Sequence, residues 1–371
     1  MNDEFYMAMA IDLAKIGSGR TSPNPLVGAV LVQDHRVVGF GAHLEAGKPH
    51  AEIHALRMAG DQAKDSTLYV TLEPCSHYGK TPPCADAVIA AGVRRVVIAV
   101  SDPFAQVSGG GILRLRQAGL EVVVGCLEKQ AIELNSVFFH YAKTGLPFVV
   151  YKTATTLDGF IATTTGDSMY ITGPEAREAV HRLRDHVDVI AVGINTVLAD
   201  DPQLTVRLEH GGRNPVRVIF DSQLRTPLSA KVVQDREAKT IIMCGENADK
   251  AREAVLREAS VEVVRVQNAA SADGSVHLSI PDALAVLANR GLIHVLLEGG
   301  QRLASAFLDA KLVQKVWFFH APKLLGAGLT PLVPMGITAL ADAVVLSDTE
   351  VTVLGQDVLV KGTPVYRDKG R

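Results

Sequence analysis

The sequence predicts an α/β protein with two domains, and three observations support this fold class. The chain has 371 residues, which corresponds to two or three domains at roughly 150 residues each. Short apolar runs rich in β-branched residues alternate with apolar residues at helical spacing along the whole chain. A polar joint at Lys143-Thr144-Gly145 divides the pattern into a first domain at 1–145 and a second at 146–371.

The pattern in residues 1–145 predicts a sheet sandwiched between helices. A β-branched run at 26–32 stops at the polar turn Gln33-Asp34-His35, as expected of a strand followed by a turn. Pro49 suits the beginning of a helix, where a missing amide hydrogen costs nothing. The predicted strands are 26–32, 37–41, 67–71, 95–100 and 121–124, and the predicted helices are 3–16, one from Pro49, one after Cys84, and 112–118.

Residues 146–371 predict a second, different α/β domain, because no internal repeat relates the two halves. The predicted strands are 148–152, 187–192, 216–220, 240–243, 261–264, 294–297 and 315–319, and the predicted helices are 174–185, 249–259, 281–290 and 301–312.

Composition excludes several functional classes. Lys and Arg number 37 and Asp and Glu number 40, so the formal charge is −3, and we expect neither nucleic acid nor a membrane as partner. A hydrophobic share of 47% with 21% charged residues is typical of a globular enzyme or binding protein. Asp3 and Glu4 stand where a secretory signal would carry basic residues, and no apolar run approaches about 18 residues. We therefore expect a cytoplasmic protein, whose four cysteines are free, reactive or metal-bound.

Four side chains form the first candidate site. His50 and Glu52 open a predicted helix, Cys75 follows a predicted strand, and Cys84 opens the next helix. Catalytic zinc commonly has three nitrogen or sulfur ligands and one position left for water. At a helix entry His50 and Glu52 can both reach toward one point, and helix N-termini stabilise thiolates. One histidine and two cysteines would hold the metal, and Glu52 would remain free to move protons.

Two other interpretations of these residues are weaker. Each side chain alone could be an ordinary core residue, but their joint placement at helix entries favours a site. His50 and His54 have the i, i+4 spacing of zincins, but that motif requires glutamate directly after the first histidine, and position 51 is alanine.

The signature H-x-E followed by P-C is that of the zinc nucleoside and nucleobase deaminases, in which a metal lowers the pKa of water and a glutamate that is not a ligand carries the proton. The cysteines here enclose eight residues instead of two. That longer loop, residues 74–84, closely resembles the loop of the bifunctional riboflavin biosynthesis deaminase/reductase family. Pro23-Asn24-Pro25-Leu26-Val27-Gly28 and Gly47-Lys48-Pro49-His50-Ala51-Glu52 resemble the same family.

The resemblance implies a cytidine-deaminase-like α/β/α sandwich at 1–145 that binds Zn2+ through His50, Cys75 and Cys84, with Glu52 as the catalytic proton carrier. It also implies that Lys80 contacts the substrate's phosphate, while Asn24 and His43 hold its ring or ribose. Taken alone, Lys80 and His43 would be ordinary loop residues. His77, Cys126 and Cys244 receive no role.

The second half resembles the reductase part of the same family, whose fold is like that of dihydrofolate reductase. The similarity lies in Lys152–Gly159, Ser168–Thr172, Asn195–Arg207, Leu297–Leu303 and Ala321–Gly326. Physically, Glu298-Gly299-Gly300 follows an apolar strand and precedes a helix, where glycines and free amides suit a phosphate. A lone Gly-Gly pair is weak evidence, and the absence of G-x-G-x-x-G in the sequence argues against an ordinary dinucleotide-binding fold.

By resemblance, two sets of residues form the reductase site. Arg184 and Arg207 suit phosphate because guanidinium forks bind it at two points. Tyr170 stands where relatives often carry tryptophan, Ser222 and Arg225 are candidates for contact with a 2′-phosphate, and no general acid is identified. The NADPH set is Ala154, Tyr170, Thr196, Asp200, Ser222, Gly300, Gln301, Arg302, Leu303, Ala304, Ser305 and Ala306, and the substrate set is Lys152, Ser168, Arg184, Leu204, Arg207 and Glu298.

The resemblance therefore implies a cytoplasmic enzyme acting on phosphorylated pyrimidines, with a homo-oligomer expected. The first domain would deaminate 2,5-diamino-6-ribosylamino-4(3H)-pyrimidinone 5′-phosphate, and the second would use NADPH to reduce the ribosyl group of the product to ribityl. A nucleic-acid deaminase would instead need a basic groove, against the acidic balance, and would leave the second half unexplained. A structural zinc protein would need a fourth protein ligand.

Overall fold

The computed structural model describes residues 2–76, 82–104, 108–270 and 276–366. It divides into two compact units, Met1–Gly145 and Leu146–Arg371. No helix within the described residues has the length and apolar character needed to cross a membrane.

The first unit contains a five-stranded sheet in the order β2-β1-β3-β4-β5. Strand β1 runs antiparallel to β2 and β3, while β3, β4 and β5 are parallel. In chain order the elements are α1 Asp3–Ala14, β1 Gly28–Gln33, β2 Arg36–Ala42, α2 Ala51–Ala59, β3 Thr67–Val70, α3 Cys84–Ala90, β4 Arg95–Ile98, α4 Gly110–Gln117, β5 Glu121–Val124, α5 Glu128–Leu134 and α6 Ser136–Thr144.

Close contacts at two glycines show how helices cover this sheet. A Cβ atom on Gly28 would lie 1.9 Å from the carbonyl oxygen of Ala10 in α1, and one on Gly41 would lie 2.5 Å from that of Ala51 in α2. Gly41 pairs with Ala29, the residue after Gly28. Because successive residues of a strand face opposite sides, α1 and α2 cover opposite faces of the sheet. The predicted helix-sheet-helix sandwich is confirmed.

The second unit contains a nine-stranded sheet in the order β10-β9-β8-β7-β13-β6-β14-β16-β15. All neighbours are parallel except β14-β16 and β16-β15. The elements are β6 Phe148–Thr156, α7 Pro174–His186, β7 Val189–Gly193, α8 Ile194–Asp200, β8 Val216–Phe220, α9 Lys231–Gln234, β9 Thr240–Gly245, α10 Lys250–Glu258, β10 Glu262–Val266, a hairpin of β11 Asn268–Ala270 and β12 Val276–Leu278, α11 Ile280–Ala288, β13 His294–Glu298, α12 Gln301–Asp309, β14 Lys315–Ala321, β15 Val345–Leu354 and β16 Asp357–Val365.

The parallel strands β7, β8, β9 and β13 are buried on both faces, as their continuous apolar sequences predict. Val218 of β8 belongs to the core cluster that contains Phe307 of α12, and its neighbour Ile219 belongs to the cluster on the opposite face. The carboxyl ends of parallel strands meet at one edge of a sheet, which is where α/β proteins bind ligands. Thr196, Ser222 and Gly300 follow β7, β8 and β13 at this edge.

The α/β fold class is confirmed, and the structure adds several elements to those predicted. The elements not predicted from the sequence are helices α5, α6, α8 and α9, the β11-β12 hairpin, and strands β15 and β16. The predicted β6 also ended at residue 152, whereas the strand continues to Thr156. The additional residues of β6 carry Ala154 to the carboxyl edge.

Candidate active sites

His50 and Glu52 stand at the beginning of α2. His50 is the residue before the first turn, with an extended backbone (φ −75°, ψ 166°), and Glu52 lies within that turn. The change of backbone direction at His50 allows two side chains that are two residues apart to face one region. Glu52 is 3% exposed, although glutamate is seldom buried without a partner.

Cys75 and Cys84 complete a compact donor group with His50. The Sγ atoms of Cys75 and Cys84 lie 3.8 Å and 3.3 Å from His50 Nδ1, and the three donor atoms lie within 4.8 Å of one another. Cys84 is the first residue of α3, and its backbone N–H donates to Cys75 Sγ at 3.3 Å. The sequence-predicted ligands are therefore brought together from a loop and two helix N-termini.

The electrostatics of this group suit a divalent cation. A hydrogen bond from the Cys84 thiol, opposed by burial, lowers the pKa of Cys75 to about 4. The same contact and burial raise the pKa of the Cys84 thiol. The protein alone thus stabilises one thiolate, and a cation bound to all three donors would stabilise the second, because metal ligation deprotonates cysteine.

Glu52 is placed beside this group without belonging to it. Its Oε2 atom is buried and has no hydrogen-bond partner among the residues that the structure describes, and burial raises the pKa of its carboxyl group. A buried carboxylate oxygen without a partner costs free energy unless a ligand completes the site. Three N/S donors and a separate carboxylate fit a catalytic zinc site better than a closed structural one.

Asn24 and His43 adjoin the same site. Asn24 Nδ2 lies 3.3 Å from His43 Nε2, and His43 Nδ1 lies 3.3 Å from the carbonyl oxygen of Pro49. The carbonyl can only accept, so Nδ1 carries the hydrogen and Nε2 accepts from Asn24. Burial lowers the pKa of His43, in agreement with this neutral tautomer. The His43 ring also contacts the His50 ring in an edge-to-face arrangement at a centroid distance of 5.2 Å.

Two further residues, which no sequence motif singled out, support this site. Asn135, buried between α5 and α6, accepts from the Leu26 N–H at 2.8 Å and donates to the Leu26 carbonyl at 2.9 Å. It thereby holds the segment that carries Asn24. The Glu73 carboxylate, two residues before Cys75, accepts four backbone N–H groups. The donors are Asp102, Gly109, Gly111 and Ile112, at 3.2, 3.0, 2.8 and 3.2 Å.

Lys80 and His77 lie outside the residues that the structure describes. Of the cysteines without a role, Cys126 packs against the core of the first unit and Cys244 is buried in β9.

In the second unit, Glu298 joins two cations at the end of β13. Arg184 Nε and Nη2 donate to its two oxygens at 2.7 Å and 2.8 Å, and Lys152 Nζ lies 3.8 Å from Oε2. Burial alone would raise the pKa of Glu298, but the charges of Arg184 and Lys152 outweigh it and lower the pKa to about 2. These three sequence-predicted residues therefore form one buried ionic group.

Arg184 and Arg207 differ in their surroundings. Arg184 remains a predicted substrate residue, but its guanidinium already has protein partners: Glu298 holds one side, and Nη1 donates to the Thr205 carbonyl at 3.1 Å. Arg207 is exposed and borders a pocket of about 410 Å³. The pocket is lined by Tyr170, Pro174, Arg177, Glu178, His181, Arg207, Leu208 and Glu209. Arg177 lies over the Tyr170 ring at 4.5 Å.

The other two substrate residues are placed differently. Leu204 is 3% exposed and has a left-handed backbone (φ +55°), and Ser168 is half-buried in the loop before α7.

The residues that the resemblance assigns to NADPH gather in part at the carboxyl edge. A Cβ atom on Gly299 would lie 3.1 Å from Thr196 Oγ1, so α8 and the beginning of α12 adjoin. Gly299 and Gly300 have φ of +107° and +70°, which glycine adopts without strain. Burial raises the pKa of Asp200 at the end of α8.

Only some residues of the α12 segment are accessible to a bound cofactor. Ala304 and Ser305 are buried, and Ser305 Oγ already accepts from the Val333 N–H at 3.0 Å. Gln301, Arg302, Leu303 and Ala306 are half-buried or exposed. Ala154 is half-buried on β6, and Tyr170 is 65% exposed.

Comparison with known proteins covers the whole chain. Residues 147–360 match the family model described as the RibD C-terminal domain, and residues 1–100 match that of the cytidine and deoxycytidylate deaminase zinc-binding region. The riboflavin biosynthesis protein RibD of Bacillus amyloliquefaciens is 43% identical over 99% of this chain and 100% of its own length. That of Escherichia coli K12 is 42% identical over 96% and 98%.

Solved structures show the same similarity. Acinetobacter baumannii RibD superposes with a TM-score of 0.88 at 38% identity, covering 98% of this chain and 99% of its own. A Thermotoga maritima protein, described as a diaminohydroxyphosphoribosylaminopyrimidine deaminase/5-amino-6-(5-phosphoribosylamino)uracil reductase, gives a TM-score of 0.84 at 38% identity with the same coverage.

Proposed function

Because this chain belongs to the RibD family and is a bifunctional deaminase and reductase of riboflavin biosynthesis, we propose which reactions its two units perform and which side chains perform them. The first unit deaminates 2,5-diamino-6-ribosylamino-4(3H)-pyrimidinone 5′-phosphate. The second reduces the ribosyl group of the product to ribityl with NADPH. The two activities named for the Thermotoga maritima protein support both substrates, since the two proteins are 38% identical over 98% of this chain.

One observation carries the deaminase assignment. Three donor atoms lie within 4.8 Å of one another, and a separate buried carboxylate beside them has an oxygen for which the described part of the chain supplies no partner. His50, Cys75 and Cys84 would hold one Zn2+. When bound, zinc supplies a Lewis acid that makes water a nucleophile near neutral pH.

Glu52 moves the proton in this proposal. Its free Oε2 can take a hydrogen from the attacking water and deliver it to the amine nitrogen that leaves. Asn24 and His43 orient the pyrimidine, and the hydrogen bonds of His43 to Asn24 and Pro49 fix its ring before substrate arrives. Lys80 is proposed to contact the phosphate on the strength of the family resemblance.

In the reductase unit, NADPH supplies the hydride. The Thr196 hydroxyl beside Gly299, together with the free amides at the beginning of α12, suits the cofactor's phosphates. Arg225, which donates to Asn195 at 3.4 Å, and Ser222 are candidates for contact with the 2′-phosphate. The remaining cofactor contacts are proposed for Ala154, Tyr170, Asp200 and the exposed residues of Gly300–Ala306.

Two groups of residues are proposed to bind the reductase substrate, one buried and ionic and one at the pocket. The buried group of Glu298, Arg184 and Lys152 provides fixed charges at the end of β13. The exposed Arg207, with Leu204 and Ser168, would receive the phosphorylated ribosyl chain. A homo-oligomer and a cytoplasmic location are further parts of the proposal, and light scattering of the purified protein tests the first.

The test is Glu52→Gln, with ammonia release and zinc content measured on the same preparation. We expect deamination to fall by about 10²- to 10⁴-fold, the usual contribution of a positioned general acid–base. One zinc per chain and the reductase rate should be unchanged. Glu128→Gln, an exposed glutamate in the first turn of α5, is the matched control. Deamination at the wild-type rate in Glu52→Gln would refute the proton-carrier role.

A further inference from the structure

Side chains from elsewhere in the fold hold the segment Gln203–Arg207, which connects α8 to β8. The Gln203 carbonyl accepts from Arg217 Nη1 at 3.2 Å, and the Thr205 carbonyl accepts from Arg184 Nη1 at 3.1 Å. The Val206 N–H donates to Asn214 Oδ1 at 2.8 Å. The last bond is between the Arg207 N–H and His181 Nδ1, at 3.2 Å. The backbone of this segment is therefore fixed by specific side chains and not by a strand ladder.

Helix α7 provides two of these side chains. His181 and Arg184 are three residues apart, so they project from the same face of the helix. Arg184 binds Glu298 and the Thr205 carbonyl together. Arg184 thus joins α7 and the end of β13 to the segment. His181, from the same helix, binds the segment at the backbone N–H of Arg207.

The contact lies at the pocket itself. His181 and Arg207 both line the cavity of about 410 Å³, together with Arg177 and Tyr170. The direction of the Arg207 backbone determines where its long side chain reaches into that cavity. A loss of the His181 contact would therefore change the geometry at the point where a phosphate would bind.

We propose that His181 is a positioning residue for the reductase: by accepting the Arg207 amide hydrogen, its Nδ1 sets the direction in which the Arg207 guanidinium meets the substrate's phosphate. The inference rests on the proposed role of Arg207. It assigns His181 no contact with the reacting atoms.

The charge state of the ring supports this role. Nδ1 can accept only when it carries no hydrogen. Burial, followed by the charges of Arg184 and Arg207, lowers the pKa of His181 to about 4, despite the opposing charge of Glu298. The ring is then neutral at physiological pH, and it acts as a hydrogen-bond acceptor and not as a further cation for the phosphate.

The experiment compares His181→Leu, which removes the acceptor, with His181→Gln, which keeps one. Steady-state kinetics with the deaminated substrate and NADPH should show KM for the substrate raised about tenfold in the leucine variant, the size expected for one lost hydrogen bond. Its kcat and its KM for NADPH should change less than about twofold. The glutamine variant should lie within about threefold of wild type. Arg182→Ala, an exposed residue of the same helix, is the control. If the His181→Leu substitution unfolds the unit, His181→Ala is used as the variant without the acceptor.

A double-mutant cycle with Arg207→Ala separates positioning from a general structural effect. If His181 acts through Arg207, His181→Leu should have no further effect on KM once Arg207 is alanine. An equal effect in both backgrounds, an unchanged KM in His181→Leu, or a glutamine variant as poor as leucine would each overturn the inference. If Arg207→Ala itself leaves the substrate's KM unchanged, the phosphate assignment fails and the inference fails with it.

Discussion

At the scale of single residues, Glu298 is a buried carboxylate held between two cations. Its carboxylate is 9% exposed and lies between Arg184 and Lys152. Desolvation opposes ionisation, and burial also lowers the pKa of Lys152, so each charge depends on the others. Removal of one partner from a buried pair costs more than the pair contributes, because it leaves an uncompensated charge.

We therefore expect Glu298→Gln to lower the free energy of unfolding by about 3 kcal/mol at pH 7. The pKa of Glu298 is about 2 in the folded protein and 4.5 without the fold, so its stabilisation is complete above pH 4.5 and is lost as pH falls toward 2. The difference between wild type and variant should shrink over that range. Urea titrations followed by the fluorescence of Trp317, the chain's single tryptophan, report on this unit.

Glu178→Gln provides the comparison for that prediction. Its pair with Arg182 is exposed, and such pairs contribute less than about 1 kcal/mol. The buried-group interpretation would be contradicted if Glu298→Gln lowered the free energy of unfolding as little as Glu178→Gln does. It would also be contradicted if the loss for Glu298→Gln did not depend on pH.

The sequence could predict the residues that carry a local signal and could not predict their distant partners. His50, Glu52, Cys75 and Cys84 stand at helix entries that apolar periodicity and proline reveal. The pairing of Arg184 with Glu298, 114 residues away, depends on the strand order of the nine-stranded sheet. No local pattern contains that order, and so nothing in the sequence indicated that Glu298 would hold the Arg184 guanidinium.

At the scale of elements, a continuous apolar run was the clearest signal of a strand. Strands such as β8, Val216–Phe220, are buried on both faces and appear in the sequence as continuous apolar runs. Strand β15 is largely exposed and contains Ser347, Asp348 and Glu350 at an irregular register. It has neither a continuous run nor a clean alternation, so the pattern did not identify it. Helices α5 and α6, which bury one residue each, were also not predicted.

The junction of α5 and α6 shows how a missed element supports a predicted residue. Asn135 lies between the two helices, and its side-chain amide accepts from the Leu26 N–H and donates to the Leu26 carbonyl. These are the two backbone groups of Leu26 that a neighbouring strand would otherwise pair. Its place was unpredictable because the two helices themselves were not identified. The position of Asn24 depends on this contact, since only one residue separates Asn24 from Leu26.

We expect Asn135→Asp to raise the deaminase KM about tenfold, with the reductase unchanged. Aspartate keeps the acceptor for the Leu26 N–H but sets a carboxylate oxygen against the Leu26 carbonyl, and a buried unsatisfied acceptor costs about 1–3 kcal/mol. Asn135→Ala should be similarly impaired, and Gln130→Ala on the exposed part of α5 should not be. A normal KM in Asn135→Asp would show that the Asn24 segment holds its position without Asn135.

At the scale of the whole molecule, each candidate site uses residues of one unit. The described deaminase residues, from Asn24 to Asn135, all lie within Met1–Gly145, and the reductase residues lie within Leu146–Arg371. Each unit has its own sheet and its own buried core. The side chains differ as well, since one candidate site gathers N/S donors and the other gathers fixed charges.

Metal removal should therefore separate the two activities within one intact chain. Dialysis against 1,10-phenanthroline should abolish ammonia release, because the cysteine and histidine donors favour zinc over magnesium or calcium. NADPH oxidation with the already deaminated substrate should persist at the untreated rate. Zn2+ should restore deamination and Mg2+ should not. If the reductase rate falls in parallel while Trp317 fluorescence reports a folded second unit, the two sites do not function independently.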